Sequence, residues 1–313
     1  MHFGRQSDDG VRVIAIGEVL WDVFGHQFRL GGAPLNFAAH ASRLGHRATL
    51  LSALGADQLG EDARREILRL GLDAIVLPAI AGFPTGTALV DLGDSGQPQF
   101  TIPRPAAYDA LELSDELLQG LSKQDPQWVY FGTLFSFAPP ARYTLERLLA
   151  ALPRARRFYD VNLRLGCYTA PLVDGLLAKA HAVKLNEQEL EEIACLLDLP
   201  RDGIESFCRA GSARYGWEAA AVSLGERGCA VWVGGAYAEA DGVPIQVADT
   251  VGAGDAFSAA FLHGLSLGWR PGAIAEFANR VGAIVASRPG GIPEWSLDEV
   301  LSTAQRIPRR RID

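Results

Sequence analysis

Residues 11–20 read VRVIAIGEVL, a nearly continuous apolar run that is rich in β-branched side chains. Such a run is typical of a strand that is buried on both faces of a parallel sheet. Similar short runs recur at residues 48–54, 128–131, 157–161, 182–185, 219–224 and 229–233. Helical patterns lie between the runs, at residues 34–44, 61–70, 141–152, 187–197 and 254–267. This βαβ alternation predicts an α/β fold with a parallel sheet.

Two segments break the alternation. Residues 87–102 contain two β-rich stretches joined by Gly93-Asp94-Ser95-Gly96, which is the chemistry of a hairpin turn. Residues 21–30 are also strand-like, with Gly25 as a turn. We expect both segments to form a small β-sheet that projects from the main domain. Since no change in composition marks a linker, residues 1–313 are predicted to form one domain in which these segments are inserted.

The composition restricts the partners of this protein. Of its 313 residues, 48% are apolar and 21% are charged, so the chain can bury a sizeable core. Its 29 basic and 37 acidic residues give a net charge of −8, which argues against nonspecific binding to nucleic acid. The clustered basic tract at residues 309–311 is interpreted as a solvated end of the chain.

The sequence predicts neither a membrane segment nor a zinc site. No apolar run approaches the roughly 18 residues that cross a bilayer, and the opening MHFGRQSDDG lacks the apolar core of a signal peptide. The protein is therefore predicted to be soluble and cytoplasmic. Its cysteines show neither a C-x-x-C pair nor zinc spacing, and we expect them to be reduced and mostly buried. They are Cys167, Cys195, Cys208 and Cys229.

Residues 249–257 read DTVGAGDAF and run into a helical pattern. Gly252, Ala253 and Gly254 let the backbone approach a ligand closely, and their N–H groups lie at the electropositive start of a helix. This predicts an anion site whose donors stabilise a phosphoryl group in transfer, while Asp255 accepts the proton of an attacking hydroxyl. The same pattern also suits a tight loop in which Asp255 only begins a helix.

Two common nucleotide motifs are absent from the sequence. No G-x-x-x-x-G-K-[ST] loop occurs, because none of the lysines, Lys123, Lys179 and Lys184, follows a glycine. The loop at residues 252–257 also lacks the third glycine of a dinucleotide fingerprint and lies late in the chain. A nicotinamide dehydrogenase is therefore weakly supported.

A second glycine-containing motif, GGAPLNFA, occupies residues 31–38. Gly31 and Gly32 allow backbone contact with a bound molecule, and Asn36 offers both a donor and an acceptor to hydroxyl groups. Asp22, just beyond the first predicted strand, is expected to meet this motif at the carboxyl edge of the sheet, where α/β proteins bind ligands. A helix start without a ligand is the alternative.

Together and in this order, the two motifs resemble the signatures of the PfkB, or ribokinase-like, carbohydrate kinase family. Residues 249–255 resemble its C-terminal signature and residues 31–36 its N-terminal one. NEQE at residues 186–189 resembles its N-x-x-E motif, and SLGERG at residues 223–228 resembles its nucleotide-binding loop. A helix cap and a hairpin turn are local alternatives for these two. The resemblance covers nearly the whole chain.

The resemblance implies a fold and a set of site residues. The fold is an open, mostly parallel sheet flanked by helices, with residues 21–30 and 87–102 as a β-sheet lid over the sugar. Asp255 would deprotonate the sugar hydroxyl, and residues 252–254 would hold the phosphoryl group. The sugar would contact Asp22, Gly31, Gly32, Asn36 and Arg164. ATP would contact Asn186, Ser223, Gly225, Glu226, Gly228 and Asn279.

The resemblance also implies ions and a partner. Magnesium would be held by Glu189 and Asn186, mainly through water. A monovalent cation, potassium, would lie beside the anion loop. Its ligands would come from Asp249, Val251, Ser287 and Gly291. The exposed face of the lid would pair with a second copy of the chain in a homodimer.

Two further stretches bear on the substrate. YDVNLR at residues 159–164 resembles the D-x-N-x-R stretch of fructokinases and 2-keto-3-deoxygluconate kinases, and GEVLWD at residues 17–22 leans toward fructokinases. Arg164 can fork two hydrogen bonds to a phosphate or carboxylate, or form a salt bridge that caps the strand. Arg104, between two prolines, is either a substrate contact or part of a stiff connection.

The predicted activity is therefore ATP-dependent phosphorylation of a terminal hydroxyl of a monosaccharide, with fructose as the substrate. The alternative substrates are 2-keto-3-deoxygluconate, ribose or a nucleoside. A noncatalytic sugar or nucleoside sensor on the same fold is the alternative of another class. Asp255 and the complete anion loop argue against a sensor, because neither is needed for binding alone.

Overall fold

The structure is a computed structural model that describes residues 10–92 and 98–306. The described strands are β1 Arg12–Ile16, β2 Leu20–Phe24, β3 Gln27–Gly31, β4 Arg47–Leu51, β5 Leu54–Gly55, β6 Ala74–Val76, β7 Ala79–Ile80, β8 Gly86–Leu92, β9 Pro98–Thr101, β10 Trp128–Gly132, β11 Arg156–Asp160, β12 Ala182–Asn186, β13 Ala219–Ser223, β14 Gly228–Val233 and β15 Ala236–Asp241. The predicted turn at residues 93–96 and the basic tract at residues 309–311 lie outside the described residues.

The described helices lie mostly between these strands. They are α1 Ala33–Arg43, α2 Gln58–Ile67, α3 Asp115–Lys123, α4 Thr133–Phe137, α5 Pro139–Ala151, α6 Ala170–Leu177, α7 Glu187–Leu197, α8 Ile204–Tyr215, α9 Ala253–Ser266, α10 Pro271–Ala286 and α11 Leu297–Arg306. No helix of the described part is both long enough and apolar enough to span a membrane.

The large sheet has the order β15-β14-β13-β12-β11-β10-β1-β4-β6. The strands from β13 to β6 are parallel, whereas β14 and β15 run antiparallel to their neighbours. The predicted α/β fold with an open, mostly parallel sheet is therefore confirmed. The antiparallel turn from β13 to β14 lies at residues 225–227, so the hairpin explanation of the glycines there is correct as a description of the backbone.

Both faces of the large sheet are buried, as the apolar runs predict. Ile14 and Ile16 of β1 pack into one apolar cluster, and Val13 and Ala15 pack into the cluster on the opposite face. This alternation follows from the period of two along a strand. Each fully buried aliphatic or aromatic side chain contributes about 1.5–3 kcal/mol relative to exposure. The two apolar clusters therefore hold the helices against both faces of the sheet.

The lid segments form a separate four-stranded sheet with the order β3-β2-β8-β9. Strands β2 and β8 are parallel, while the β2–β3 and β8–β9 pairs are antiparallel. The first predicted strand was too long: β1 ends at Ile16, and Leu20 already belongs to the lid. The chain leaves the large sheet at Gly17, whose backbone φ of +156° favours glycine.

The cysteines of the described residues are free. Cys167, Cys208 and Cys229 are buried, and Cys195 is exposed. The prediction that the cysteines are mostly buried is confirmed for these three, and Cys195 is the exception.

Candidate active site

The predicted anion loop forms the start of α9. Gly252 precedes the helix with φ of +75°, and a Cβ atom at this position would lie 2.3 Å from the carbonyl oxygen of Gly291. Only glycine fits both the backbone conformation and the contact. The N–H groups at the start of α9 and the positive end of the helix dipole meet at this loop, and the Ala253 N–H donates to the Thr250 carbonyl at 3.3 Å. The geometry is therefore that of an anion site.

Asp255 lies in the first turn of α9 and contacts α1. The amide nitrogen Nδ2 of Asn36 donates to Oδ2 of Asp255 at 2.8 Å, while Oδ1 of Asn36 is buried without a hydrogen-bond partner. Helix α1 begins after Gly32, whose φ is +113° and whose missing Cβ would lie 2.4 Å from the backbone oxygen of Glu18. The two glycine motifs thus bring Asn36 and Asp255 together from opposite ends of the chain.

The carboxyl group of Asp255 has an unusually high pKa. Burial, and then the nearby carboxylate of Asp160, raise this pKa to about 6 from the usual 3.8. The hydrogen bond from Asn36 and the positive charges of Lys184 and Arg164 act in the opposite direction. A carboxylate with a pKa near the working pH is well suited to act as a general base.

We expect the rate to fall on acidification, because protonated Asp255 cannot accept a proton. The free carboxyl has a raised pKa of about 6, so kcat/KM should fall about tenfold per pH unit below that value. The measurement is kcat/KM for the sugar at saturating MgATP from about pH 5 to about pH 8, which reports the enzyme before the sugar contacts Asp255. A control variant, Asp22→Asn, should show the same fall in kcat/KM at low pH. A rate that stays flat down to about pH 5 would contradict the role of Asp255.

A buried ion pair that the sequence analysis missed lies beside the loop. Nζ of Lys184 on β12 is 3.3 Å from Oδ1 of Asp160 at the end of β11. Oδ2 of Asp160 accepts hydrogen bonds from Tyr130 at 3.0 Å and from Ser258 at 2.7 Å. Lys184 Nζ also lies 3.2 Å from the place that a Cβ on Gly254 would take, so its charge is close to the anion loop.

The sequence carried a signal for this pair. Lys184 is the one lysine within a predicted apolar strand, residues 182–185, and such a buried charge requires a partner. Burial opposes the charge of Lys184, but the carboxylates of Asp160, Glu189 and Asp255 outweigh it and raise the pKa of Lys184. Lys184 therefore remains a cation beside the anion loop.

A cavity of about 300 Å³ lies between the large sheet and the lid. Its walls contain most of the predicted sugar-binding residues together with the loop. The predicted residues among them are Asp22, Gly32, Asn36, Arg164, Asn186, Val251, Gly252, Gly254 and Asp255. The lid contributes Leu20, Ala88 and Ile102. The expected meeting of Asp22 with the GGAPLN motif is therefore confirmed, although Asp22 reaches the cavity from lid strand β2.

Glu18 and Asn162 are wall residues that the sequence analysis did not single out. Glu18 is 4% exposed, and its Oε2 atom has no hydrogen-bond partner. Burial raises the pKa of Glu18 to about 7 and that of Asp22 to about 6. Asn162 adopts φ of +40°, in the left-handed region that few non-glycine residues enter and that asparagine enters more often than most. The sequence signal for both is that Glu18 lies within GEVLWD and Asn162 within YDVNLR.

A second cavity of about 650 Å³ lies on the other side of the loop. Its walls contain the predicted nucleotide residues Ser223, Gly225, Glu226, Gly228 and Asn279, together with Ala253. Both cavities share Ser223, Thr250 and Gly254. Two spaces of unequal size therefore meet at the anion loop, with Asp255 on the side of the smaller one.

The N-x-x-E motif forms a complete helix cap. Oδ1 of Asn186 accepts from the Glu189 N–H at 2.9 Å, and Oε2 of Glu189 accepts from the Asn186 N–H at 2.8 Å. Oε1 of Glu189 also accepts from the Leu163 N–H at 2.9 Å. Both carboxylate oxygens are thus engaged, and Glu189 lines neither cavity. The capping explanation is correct, and Asn186 is the member of the motif that reaches the cavity.

Some predicted residues lie outside both cavities. Arg104 pairs with Asp109 and donates to the Leu134 carbonyl at 2.7 Å, so its side chain holds the chain around Pro105. Gly31, Asp249, Ser287 and Gly291 form no part of either wall. Gly31 ends β3, and the other three lie behind the loop.

Two cavities that meet at a helix-start anion loop, with a carboxylate beside it, are the arrangement expected of an enzyme that transfers a phosphoryl group between two bound molecules. The model of the pfkB family carbohydrate kinases matches residues 12–297. The chain belongs to this family of carbohydrate kinases.

Relatives agree with this assignment. A fructokinase from Klebsiella pneumoniae is 31% identical over 256 residues, which cover 79% of this chain and 80% of the relative. The structure of a 2-dehydro-3-deoxygluconokinase from Thermotoga maritima has a TM-score of 0.81 at 19% identity. The match covers 94% of this chain and 99% of that one. The structure of a double-mutant fructokinase from Vibrio cholerae, bound to fructose, ADP and a potassium ion, has a TM-score of 0.78 at 21% identity. The match covers 95% of this chain and 99% of that one. Both structures share the fold of this chain.

Proposed function

We propose that this protein is a fructokinase, which transfers the γ-phosphoryl group of ATP to a terminal hydroxyl of fructose. The observation that carries the proposal is the position of Asp255, beside an anion loop at which two cavities meet. The smaller cavity would hold the sugar and the larger one the nucleotide. The 31% identity to a fructokinase supports the choice of sugar.

The residues of the smaller cavity have chemistry that suits a polyol. Oδ1 of Asn36 and Oε2 of Glu18 are buried acceptors without a partner, and sugar hydroxyls would supply the missing donors. Asp22 adds a further carboxylate. The Asn36 amide fixes Oδ2 of Asp255, so Oδ1 is left to accept the proton of the attacking hydroxyl. Asp255, Asp22 and Asn36 would thereby orient the sugar toward the loop.

The proton of the sugar hydroxyl passes to Asp255 while its oxygen bonds to the γ-phosphorus of ATP, and the bond from that phosphorus to the β-γ bridging oxygen breaks to leave ADP. The N–H groups of residues 252–254 and the charge of Lys184 would stabilise the negative charge on the transferring oxygens. The lid would exclude water, which would otherwise take the phosphoryl group.

Magnesium fits this site as an ion carried by ATP. Within the described residues no cluster of three His, Cys, Asp or Glu groups could hold a metal. Mg²⁺ commonly keeps several waters and binds substrate phosphates with only one or two protein groups. Asn186 would contact its water shell, and Glu189 would hold Asn186 in place. When bound, the ion would neutralise charge on the phosphates.

The alternative substrate is 2-keto-3-deoxygluconate, which Arg164 favours. Arg164 lines the smaller cavity and donates to the carbonyl of Leu163 at 3.2 Å. No carboxylate of the described residues lies within ion-pair distance of its guanidinium. An unpaired arginine can bind the carboxylate of an acid sugar, a group that fructose lacks.

The proposal is tested by ADP release from MgATP with fructose, ribose, adenosine and 2-keto-3-deoxygluconate as acceptors. Fructose should give the highest kcat/KM. A preference for another sugar by orders of magnitude would replace fructose while leaving the kinase assignment intact. Binding of a sugar without any ADP release would instead favour the sensor.

We expect Arg164→Ala to separate the two substrates. Loss of a charge-assisted hydrogen bond costs about 1.5–3 kcal/mol, so kcat/KM for 2-keto-3-deoxygluconate should fall roughly 10- to 100-fold. The value for fructose should change by less than about tenfold, because fructose has no carboxylate. Arg104→Ala, whose side chain is already paired, controls for nearby positive charge. Equal losses on both sugars would contradict a carboxylate role.

The remaining predictions concern the whole chain. We propose that residues 1–313 form one kinase domain into which the lid is inserted. Pairing of two chains through the lid stays a prediction. Phe28 and Leu89, which are 49% and 44% exposed on lid strands, are the apolar side chains that such pairing would cover.

A further inference from the structure

The carboxylate of Asp249 is held by an arginine of the lid. Nη1 of Arg29 on β3 donates to Oδ2 of Asp249 at 2.6 Å, and the Gly290 N–H donates to the same oxygen at 3.1 Å. Oδ1 accepts the N–H of Val251 at 3.0 Å. The side chain of Asp249 is only 14% exposed. A positive charge from the lid therefore lies directly behind the anion loop.

This contact conflicts with the predicted potassium site. The resemblance implies that Asp249 and the backbone of Val251 bind the cation, with further oxygens from Ser287 and Gly291. The Ser287 hydroxyl instead donates to the Ile284 carbonyl at 2.7 Å, and the Gly291 carbonyl accepts from His40 at 2.9 Å. A cation at Asp249 would have to displace Arg29. The residues present do not fit a potassium ion.

The position of Arg29 gives it two acidic neighbours. In the β2–β3 hairpin Arg29 lies directly opposite Asp22, which lines the sugar cavity. Its guanidinium lowers the pKa of Asp22, whereas Asp249 raises that pKa. The guanidinium also lies 5.2 Å from the ring centre of Phe24. The permanent charge of Arg29 thus acts both on Asp22, in the sugar cavity, and on Asp249, at the base of the loop.

We propose that Arg29 takes the place of the monovalent cation, so that the lid itself supplies the positive charge beside Asp249. Without that charge, the Asp249 carboxylate would repel the phosphates of ATP at the loop three residues later. The proposal rests on the proposed kinase function. It implies that turnover is independent of potassium, and that removal of Arg29 creates a requirement for a small cation.

The test compares potassium, sodium and choline chlorides at one ionic strength. Wild-type kcat/KM should agree within about twofold in the three salts. Arg29→Ala should lose roughly 10- to 100-fold in choline, the cost of a charge-assisted hydrogen bond, and should recover most of it in potassium. Arg29→Lys should remain independent of the salt. Arg47→Ala, which removes another exposed ion pair far from the site, should behave as wild type.

A binding measurement separates this proposal from the kinase assignment. Potassium should raise the melting temperature of Arg29→Ala relative to choline and leave that of the wild type unchanged, whether or not a sugar is turned over. Strong activation of the wild type by potassium would overturn the proposal. So would an Arg29→Ala variant that no cation restores in rate or stabilises. Absence of ADP release with every sugar, together with the expected thermal shifts, would overturn only the kinase function.

Discussion

Asp255→Asn should lower kcat by about 10²- to 10⁴-fold, the usual contribution of a general base, and leave the fold intact. The amide cannot accept the proton of the sugar hydroxyl at neutral pH. Its oxygen can still accept the hydrogen bond from Asn36, so the contact between α1 and α9 is kept. The measurement is kcat with both substrates saturating, accompanied by the dissociation constant for ATP, which should be unchanged.

Thermal unfolding provides a second readout of the same variant. The folded-state pKa of Asp255 is raised to about 6, so at pH values above this the ionised carboxylate destabilises the folded protein. Replacing it with a neutral amide should therefore keep or raise the melting temperature at neutral pH. Asp22→Asn is the matched control, because it should raise KM for the sugar more than it lowers kcat. A kcat within about tenfold of wild type would remove Asp255 from the role of base.

Lys184→Met should have the largest effect on stability. It leaves the carboxylate of Asp160, which is 1% exposed, without its counter-charge, and breaking a buried pair in this way costs about 3–5 kcal/mol. Urea denaturation measures the free energy of unfolding. The rate should fall as well, because the amine lies beside Gly254.

The double variant Lys184→Met/Asp160→Asn separates stability from catalysis. Asparagine removes the unpaired charge but keeps an oxygen that can accept from Tyr130 and Ser258. Most of the lost stability should return, whereas turnover should remain low if the charge of Lys184 acts on the transferring phosphoryl group. Full recovery of turnover in the double variant would make the role of Lys184 purely structural.

Local sequence was sufficient for the elements that carry the site. The helices at residues 34–44 and 187–197 were placed to within one residue of α1 and α7, because apolar periodicity and capping residues are local properties. Local sequence was also sufficient to predict the lid strands from their hairpin chemistry, and to single out the glycines at residues 32 and 252. Their conformations require glycine whatever the rest of the chain does.

Residues that act through distant partners could not be assigned in this way. Lys184 and Asp160 lie on neighbouring strands but are separated by an α-helix in the sequence, and the exposed or buried state of each depends on that pairing. Glu18 became a wall residue only because β1 ends at Ile16 and the chain turns into the lid. The resemblance likewise assigns Glu189 to magnesium, and only the structure shows that each of its carboxylate oxygens also accepts a backbone N–H.

By itself the sequence determined the α/β class, the anion loop, the base candidate Asp255 and the family, since each depends on contiguous residues and their order. Tertiary structure alone decided that Asn36 orients Asp255, that Lys184 lies beside the loop and that Arg29 forms an ion pair with Asp249. The last contact joins residues 220 positions apart. A charge at such a separation is placed by the packing of the lid on the large sheet, which no local pattern encodes.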